Sequence, residues 1–360
     1  MFQLKNISLV QFKNYSTAFF SFDERIVCIH GNNGVGKTNL LDAIYYLCFT
    51  KSYFSKFDQQ HVQHGHSGFR LEGLFGLNGE EKKIVCILRE NGKKELSLND
   101  EMYEKFSAHI GKFPCVIITP DDAQIITDGS EERRRFLDAL LCQLDPAYLQ
   151  NLIEYNKIIQ QRNSFLKSMA DKRITEKSLL DVYDEQLTKP GMYIFEKRNS
   201  FLQHILPLVK TYYARIAGSE EKVELIYDSH LLHDSFKNLL QRSREKDLLL
   251  QRTNVGIHKD DIEIKLKEQV FKNIASQGQR KSLLFALKLA EYETLKKAKG
   301  FAPVLLLDDV FEKLDALRMH NLLDWVCVQN EGQIFITDTH EERISRHLQE
   351  LAINYQLVAL

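Results

Sequence analysis

Over the first hundred residues apolar and polar positions alternate with a period of two, and β-branched and aromatic side chains are frequent. The alternation is clearest in Lys82-Lys83-Ile84-Val85-Cys86-Ile87-Leu88-Arg89. It predicts strands over 2–10, 16–22, 25–30, 69–76, 82–89 and 94–98. One segment departs from it: from Lys37 through LLDAIYYLCF the pattern is that of a helix. Residues 113–119, FPCVIIT, form an apolar run that stops at Pro120 and predicts a strand.

From about Glu131 to Ala217 the apolar positions recur every three or four residues, as in Leu149, Leu152 and Ile153, and the segment predicts helices. Pro190-Gly191 is expected to break the run once. Strands return at 222–227 and 261–267, then a helix over 277–298, a strand over 303–308, a helix over 316–329 and strands at 333–337 and 354–359. The two ends therefore read as one α/β domain, residues 1–125 and 220–360, with a helical lobe, residues 126–219, inserted into it. The chain shows no internal repeat or low-complexity tract.

At 360 residues there is room for one large or two ordinary domains. The composition, 44% hydrophobic and 27% charged, is that of a soluble globular protein. A net charge of −1 supplies no overall positive field, so any nucleic-acid contact must be a local patch. The six cysteines lie apart, several in apolar runs, and read as small buried hydrophobes in a reducing cytosol. The N-terminal segment lacks a signal-peptide core, and no apolar run approaches the ~18 residues of a membrane span, so a cytoplasmic protein is expected.

Candidate chemistry begins at Gly31-Asn32-Asn33-Gly34-Val35-Gly36-Lys37-Thr38, which follows a predicted strand and opens a predicted helix. It matches GxxxxGKS/T in the context that motif requires. Its glycines let backbone N–H groups turn inward around phosphate oxygens, and the helix start adds partial positive charge. Lys37 would reach the β- and γ-phosphates of ATP, and Thr38 would ligand Mg²⁺; Asn39 completes the nucleotide-binding set.

A second piece is the apolar run Pro303–Leu307 ending in Asp308-Asp309. Such a run fits a strand buried on both faces of a parallel sheet, and carboxylates at its end sit where α/β proteins bind ligands. Asp308 would hold Mg²⁺, and Asp309 would orient or deprotonate water. A third piece, Ser276-Gln277-Gly278-Gln279, opens an amphipathic helix. Ser276 either caps that helix, or its hydroxyl joins the Gly278 N–H and the helix dipole in sensing a γ-phosphate. The order of the pieces, closed by Leu314-Asp315 and Thr337-Asp338-Thr339-His340, is that of ABC ATPases.

The stretches LKNISLVQFKNY, RRRFLD, YDEQL, GIHKDD, SQGQRKSLLFALKLAE and VLLLDDVFEKLD together resemble the RecF family, bacterial DNA repair ATPases related to SMC-type heads. The resemblance covers nearly the whole chain. It implies an ABC-type P-loop ATPase head, a mixed sheet with antiparallel N-terminal strands, carrying an inserted helical lobe. It implies ATP sandwiched between two protomers, with Ser276, Gly278 and Gln279 of one closing on the γ-phosphate held by Lys37 of the other. Asp315 would lie in the loop crossing between sites, and His340 would take the switch position near the γ-phosphate. Asp121 or Asp122 would stand about where related heads carry a glutamine contacting Mg²⁺ and water.

The implied function is recombinational repair and replication restart. A dimer with slow, DNA-dependent ATP hydrolysis would clamp DNA near single-strand/double-strand junctions and help load RecA with RecO and RecR. Two blocks depart from the family pattern. GPHRDD reads Gly256-Ile257-His258-Lys259-Asp260-Asp261, and GRSFR is replaced around Lys51-Ser52-Tyr53-Phe54. Lysine cannot replace arginine where a bidentate contact is needed. Candidate DNA contacts are Lys51, Lys56, Arg133, Arg134, Arg135, Lys157, Arg162 and Lys167. The arginine triplet could instead form a salt-bridged solvated helix face with Glu131, Glu132 and Asp138. Binding is expected to be salt-sensitive with little sequence preference.

Rival readings are another ABC-type subunit such as that of a transporter, a P-loop kinase, and an ATP-switched scaffold with negligible hydrolysis. The first predicts a much shorter interval between Gly31 and Ser276; the second leaves Ser276-Gln277-Gly278-Gln279 unexplained. Intact Lys37, Asp308 and Asp309 argue for turnover over the third.

Overall fold

The computed structural model describes residues 1–172, 178–218, 221–310 and 316–360. The chain divides into two compact units. The first gathers Met1–Ala123, Thr211–Glu220 and Ser276–Leu360; the second gathers Gln124–Lys210 and Glu221–Ala275.

In the first unit, strands β1 (Gln3–Phe12), β2 (Tyr15–Ser21), β4 (Phe69–Leu77), β5 (Glu80–Leu88), β6 (Lys94–Leu98) and β7 (Glu101–Met102) form an antiparallel sheet in the order β2-β1-β4-β5-β6-β7. A second sheet is parallel throughout. Its strands are β3 (Ile26–His30), β8 (Cys115–Ile118), β12 (Val304–Leu307), β13 (Ile334–Asp338) and β14 (Gln356–Ala359), in the order β14-β3-β13-β12-β8. Every residue of β8 and β12 is buried, which is why their sequences are continuous apolar runs without alternation.

Helix α1 (Lys37–Phe49) packs on strands of both sheets and is buried from Leu40 to Phe49. Its apolar side chains encircle the helix, as burial from every side demands. Leu40, Leu41, Ile44 and Leu47 join Phe2, Leu4, Phe12, Phe75, Leu306 and Phe335 in one core. Each such leucine or isoleucine stabilises the fold by about 1.5–3 kcal/mol.

The second unit holds helices α2 (Gln124–Thr127), α3 (Ser130–Leu144), α4 (Pro146–Lys172), most of α5 (Ser178–Ala217), α6 (Phe236–Leu250) and α7 (Phe271–Ile274). It also holds a three-stranded antiparallel sheet, β11-β10-β9, of β9 (Val223–Asp228), β10 (Asp261–Leu266) and β11 (Gln269–Val270). Residues 221–275, which the sequence pattern grouped with the α/β domain, therefore belong with the helices. Strand period alone does not say which layer a sheet covers.

The remaining helices, α8 (Gln277–Lys299), α9 (Ala316–Leu323) and α10 (Glu341–Glu350), lie in the first unit. The helix expected over 316–329 is α-helical only to Leu323 and widens into π turns over Asp324–Gln329.

The expected break at Pro190-Gly191 does not occur: α5 is a 40-residue helix that runs through it. The structure explains the pair by packing. A Cβ on Gly191 would lie 2.4 Å from the ring of Phe236 and 3.2 Å from that of Tyr155. A Cβ on Gly256 would meet the same two side chains, 2.7 Å from the Phe236 ring and 2.6 Å from the Tyr155 hydroxyl. The glycines admit two aromatic side chains, and that burial outweighs the hydrogen bond proline cannot donate.

Candidate functional site

Because the second sheet is parallel, the ends of its strands gather the candidate residues on one edge. Gly31–Thr38 follows β3, Asp308 follows β12, and Thr337 and Asp338 end β13, which lies between those two strands. Residues some 270 positions apart thus meet: the Thr38 hydroxyl donates to Asp308, 3.0 Å from Oδ1 and 2.9 Å from Oδ2.

The loop itself is set by glycine. Gly31, Gly34 and Gly36 have φ of 152°, 85° and 119°. A Cβ on Gly31 would sit 2.7 Å from the Leu360 carbonyl, and one on Gly36 would meet Asn14 and Tyr15 at 2.5 Å and 2.8 Å. Asn14 Nδ2 donates to the Val35 carbonyl at 2.8 Å, Tyr15 Oη donates to the Gly36 carbonyl at 3.0 Å, and Asn39 Nδ2 donates to Asn14 Oδ1 at 2.7 Å. The turn between β1 and β2 therefore braces the loop, a role its sequence does not advertise. Burial pushes the Tyr15 hydroxyl up to about 12, so it remains a donor. Gly36 starts α1 without a side-chain cap, which leaves the first N–H groups of that helix to face an anion. Lys37 is 5% exposed, and its ammonium donates to the carbonyls of Gly31 at 2.8 Å and Asn32 at 3.1 Å.

Asp308 is buried and is held by hydroxyls. Besides Thr38, the Thr337 Oγ1 donates to its Oδ1 at 2.9 Å, and the same Oγ1 accepts the Asp309 N–H at 2.9 Å. Burial raises the carboxyl of Asp308 above the usual carboxylate range; the two hydroxyls and Lys37 pull it back, and Asp309 pushes it further up. Asp309 is half-buried with φ of 45°, so its side chain leaves the strand direction at this edge. A hydroxyl and a carboxylate are hard oxygen donors of the kind Mg²⁺ takes beside phosphate oxygens. Among the described residues no group of three or more His, Cys, Asp or Glu is placed to hold a metal by itself. The donor set therefore fits a cation delivered with a nucleotide.

Ser276 is the N-cap of α8, and with Gln279 it forms a reciprocal capping box: Gln279 N–H donates to Ser276 Oγ at 3.2 Å and Ser276 N–H to Gln279 Oε1 at 2.8 Å. Ser276 is exposed and Gly278 half-buried. A Cβ on Gly278 would lie 2.4 Å from Arg318 Nη1, so the glycine admits a guanidinium beside this helix start. His340 is exposed and its N–H donates to buried Asp338 at 2.8 Å. Asp315 lies outside the described residues. Of the neighbouring pair, Asp121 is exposed, whereas Asp122 is buried and accepts hydrogen bonds from Tyr53 Oη and, at 2.7 Å, from Thr119 N–H.

The candidate DNA contacts separate sharply. Arg162 is wholly buried and binds Asp184 at 2.9 Å, Asp247 at 2.7 Å and Thr253 at 2.9 Å, so it cannot touch DNA. Arg133 is spent on Asp261, at 2.6 Å and 3.0 Å, and on two backbone carbonyls. Arg135 pairs with Glu131 and Glu132 on an exposed helix face. Lys51, Lys56, Lys157 and Lys167 are exposed.

The chain is similar to known proteins over nearly its whole length. The model of the RecF/RecN/SMC N terminal domain family matches residues 3–356. The DNA replication and repair protein RecF of Flavobacterium johnsoniae is 44% identical over 357 residues, covering 99% of each chain. That of Bacteroides thetaiotaomicron is 40% identical, covering 98% of this chain and 95% of its own. The solved structure of the recombination mediator RecF with ATP is 32% identical, with a TM-score of 0.87 over 94% of this chain and 92% of that one. An Smc head domain from Pyrococcus furiosus, at 17% identity and a TM-score of 0.55, shares the fold over 96% of this chain and 92% of its own. Among the described residues no helix is long and apolar enough to cross a membrane.

Proposed function

The chain belongs to the RecF family, with its ABC-type ATPase head, and on that premise we propose that it is an ATP-dependent DNA-binding protein of recombinational repair and replication restart. The observation that carries the reading is the hydroxyl-linked Thr38–Asp308–Thr337 chain beside an uncapped helix start. Nothing in the packing of a sheet edge calls for a buried carboxylate there, whereas a magnesium nucleotide does.

In this reading the backbone N–H groups of Gly31 to Thr38 surround the phosphates, and Lys37 turns its ammonium from the carbonyls of Gly31 and Asn32 to the β- and γ-phosphates. Thr38 and Asp308 hold Mg²⁺, which when bound offsets phosphate charge. Asp309, fixed through its N–H by Thr337, orients the attacking water and accepts its proton. Ser276 accepts from Gln279 within its own chain and keeps a hydroxyl proton to donate. Together with Gly278 and Gln279 it completes the site of a second copy, His340 stands at the switch position, and Asp121, whose neighbour Asp122 is already engaged, would contact Mg²⁺ and water when they are bound. Because each site needs two copies, hydrolysis is slow and tied to dimerisation. The dimer clamps DNA at single-strand/double-strand junctions and supports RecA loading with RecO and RecR.

Light scattering with saturating ATP tests the sandwich: Asp309→Asn should form a dimer that ADP does not support. A monomer under those conditions sinks it. Phosphate release should rise on adding tailed duplex DNA; no rise and no retention of DNA favour a switch acting on another partner.

A further inference from the structure

The block Gly256–Asp261 belongs to the second unit and takes no part in the nucleotide chemistry above. Its acids are committed internally. Asp260 accepts from Arg198 at 2.8 Å and from Tyr227 at 2.6 Å, and Asp261 pairs with Arg133. Asp247, on nearby α6, is taken by Arg162 and Asn254. The bases are left over: Lys246, Arg252 and Lys259 are exposed, and their side chains form no ion pair among the described residues.

Backbone geometry holds these three together. Arg252 N–H donates to the Asp247 carbonyl at 3.2 Å, next to Lys246. His258 Nε2, next to Lys259, donates to the carbonyl of Thr253, next to Arg252, at 3.0 Å. Arg134 donates to the carbonyl of Asp260 at 2.6 Å, which brings a further guanidinium beside Lys259 without cancelling its charge. The groups repel one another. Partial burial, then Arg252, Arg134 and Lys246, depress the ammonium of Lys259 below its ordinary range. His258, half-buried and hydrogen-bonded through both ring nitrogens, is pushed down to about 4, chiefly by desolvation, and adds no charge at neutral pH. Cations kept this close with their acids spent elsewhere call for an external anion.

We propose that Lys246, Arg252, Lys259 and Arg134 form a patch that grips the sugar–phosphate backbone of DNA without reading bases. The proposal rests on the DNA reading above and assigns it a surface. The exposed side chains are long and unenclosed, which suits a line of phosphates crossing the patch better than one trapped phosphate.

The test is fluorescence anisotropy of labelled duplex DNA against a salt series, using the full chain with ATP. Lys246→Gln, Arg252→Gln and Lys259→Gln are made singly and together. Each should reduce the slope of log affinity against log salt by about 0.9, and the triple variant by about 2.7. An unchanged slope in the triple variant overturns the patch while leaving DNA binding intact; no binding by the unaltered protein overturns both. Without DNA, relief of repulsion should leave the melting temperature of the triple variant equal or higher. A lower one would make these cations part of the fold and overturn the proposal.

Discussion

The second unit and the strand-end site of the first treat buried charge in opposite ways. In the second, Asp184, Asp247 and Asp260 each face a guanidinium at 2.7–2.9 Å, and Arg162 and Arg198 are themselves buried. In the first, Asp308 is as deeply buried but meets two hydroxyls, and Lys37 meets two backbone carbonyls. A closed ion pair cancels itself and fixes helices against one another. A carboxylate and an ammonium held by neutral groups keep their charge for something that arrives later. The first arrangement serves cohesion, and the second gives up stability to remain ready for a ligand.

The contrast can be broken by measurement, and the largest effect belongs to the closed pairs. Arg162→Met leaves Asp247 buried without a cation and should cost about 3–5 kcal/mol in denaturant unfolding. A loss under about 1 kcal/mol would show that the network does not hold the helices.

Next comes Glu291, a buried carboxylate of α8 whose nearest cation, Lys288, stands 3.8 Å away. Burial pushes it up from 4.5 to about 7. The folded protein therefore holds this proton more tightly than the unfolded chain. The stabilisation is complete below about pH 4.5 and lost as pH rises through about 7. Relative to Glu291→Gln, the unaltered protein should lose up to about 3 kcal/mol across that window. A stability difference between the two that is the same at pH 5 and pH 8 would place Glu291 among the neutralised charges instead.

The smallest effect on stability is expected at the site. Asp308→Asn removes a charge that forms no ion pair among the described residues and should leave stability unchanged or raise it by about 1 kcal/mol. ATP turnover should fall roughly a hundredfold or more. Melting curves and phosphate release read the two quantities separately. A clear drop in melting temperature would make Asp308 a structural residue like Asp247.

Much of this site was legible in the chain because its signals are local. The Gly31–Thr38 loop needs backbone angles that glycine supplies, and it shows itself by spacing. Val304–Leu307 announces a doubly covered strand by being wholly apolar, with Asp308 and Asp309 at its end. The order of these pieces and the resemblance they carry point to the family on their own. Not legible were the groups that act from a distance. Asn14 and Tyr15 brace the loop from a hairpin, and Thr337 reaches Asp308 because β13 lies between β3 and β12.

By itself, then, the sequence determined the phosphate loop, the acidic strand end, the head-type fold and the succession of strands and helices, since each depends on residues near one another. Only the tertiary structure decided which charges are spent. Arg162 and Lys259 look alike in a string of residues, yet one lies between two aspartates in a dry interior and the other faces solvent among like charges. A charge is neutralised by whatever stands within a few ångströms of it, and in a folded chain those neighbours come from far along the sequence.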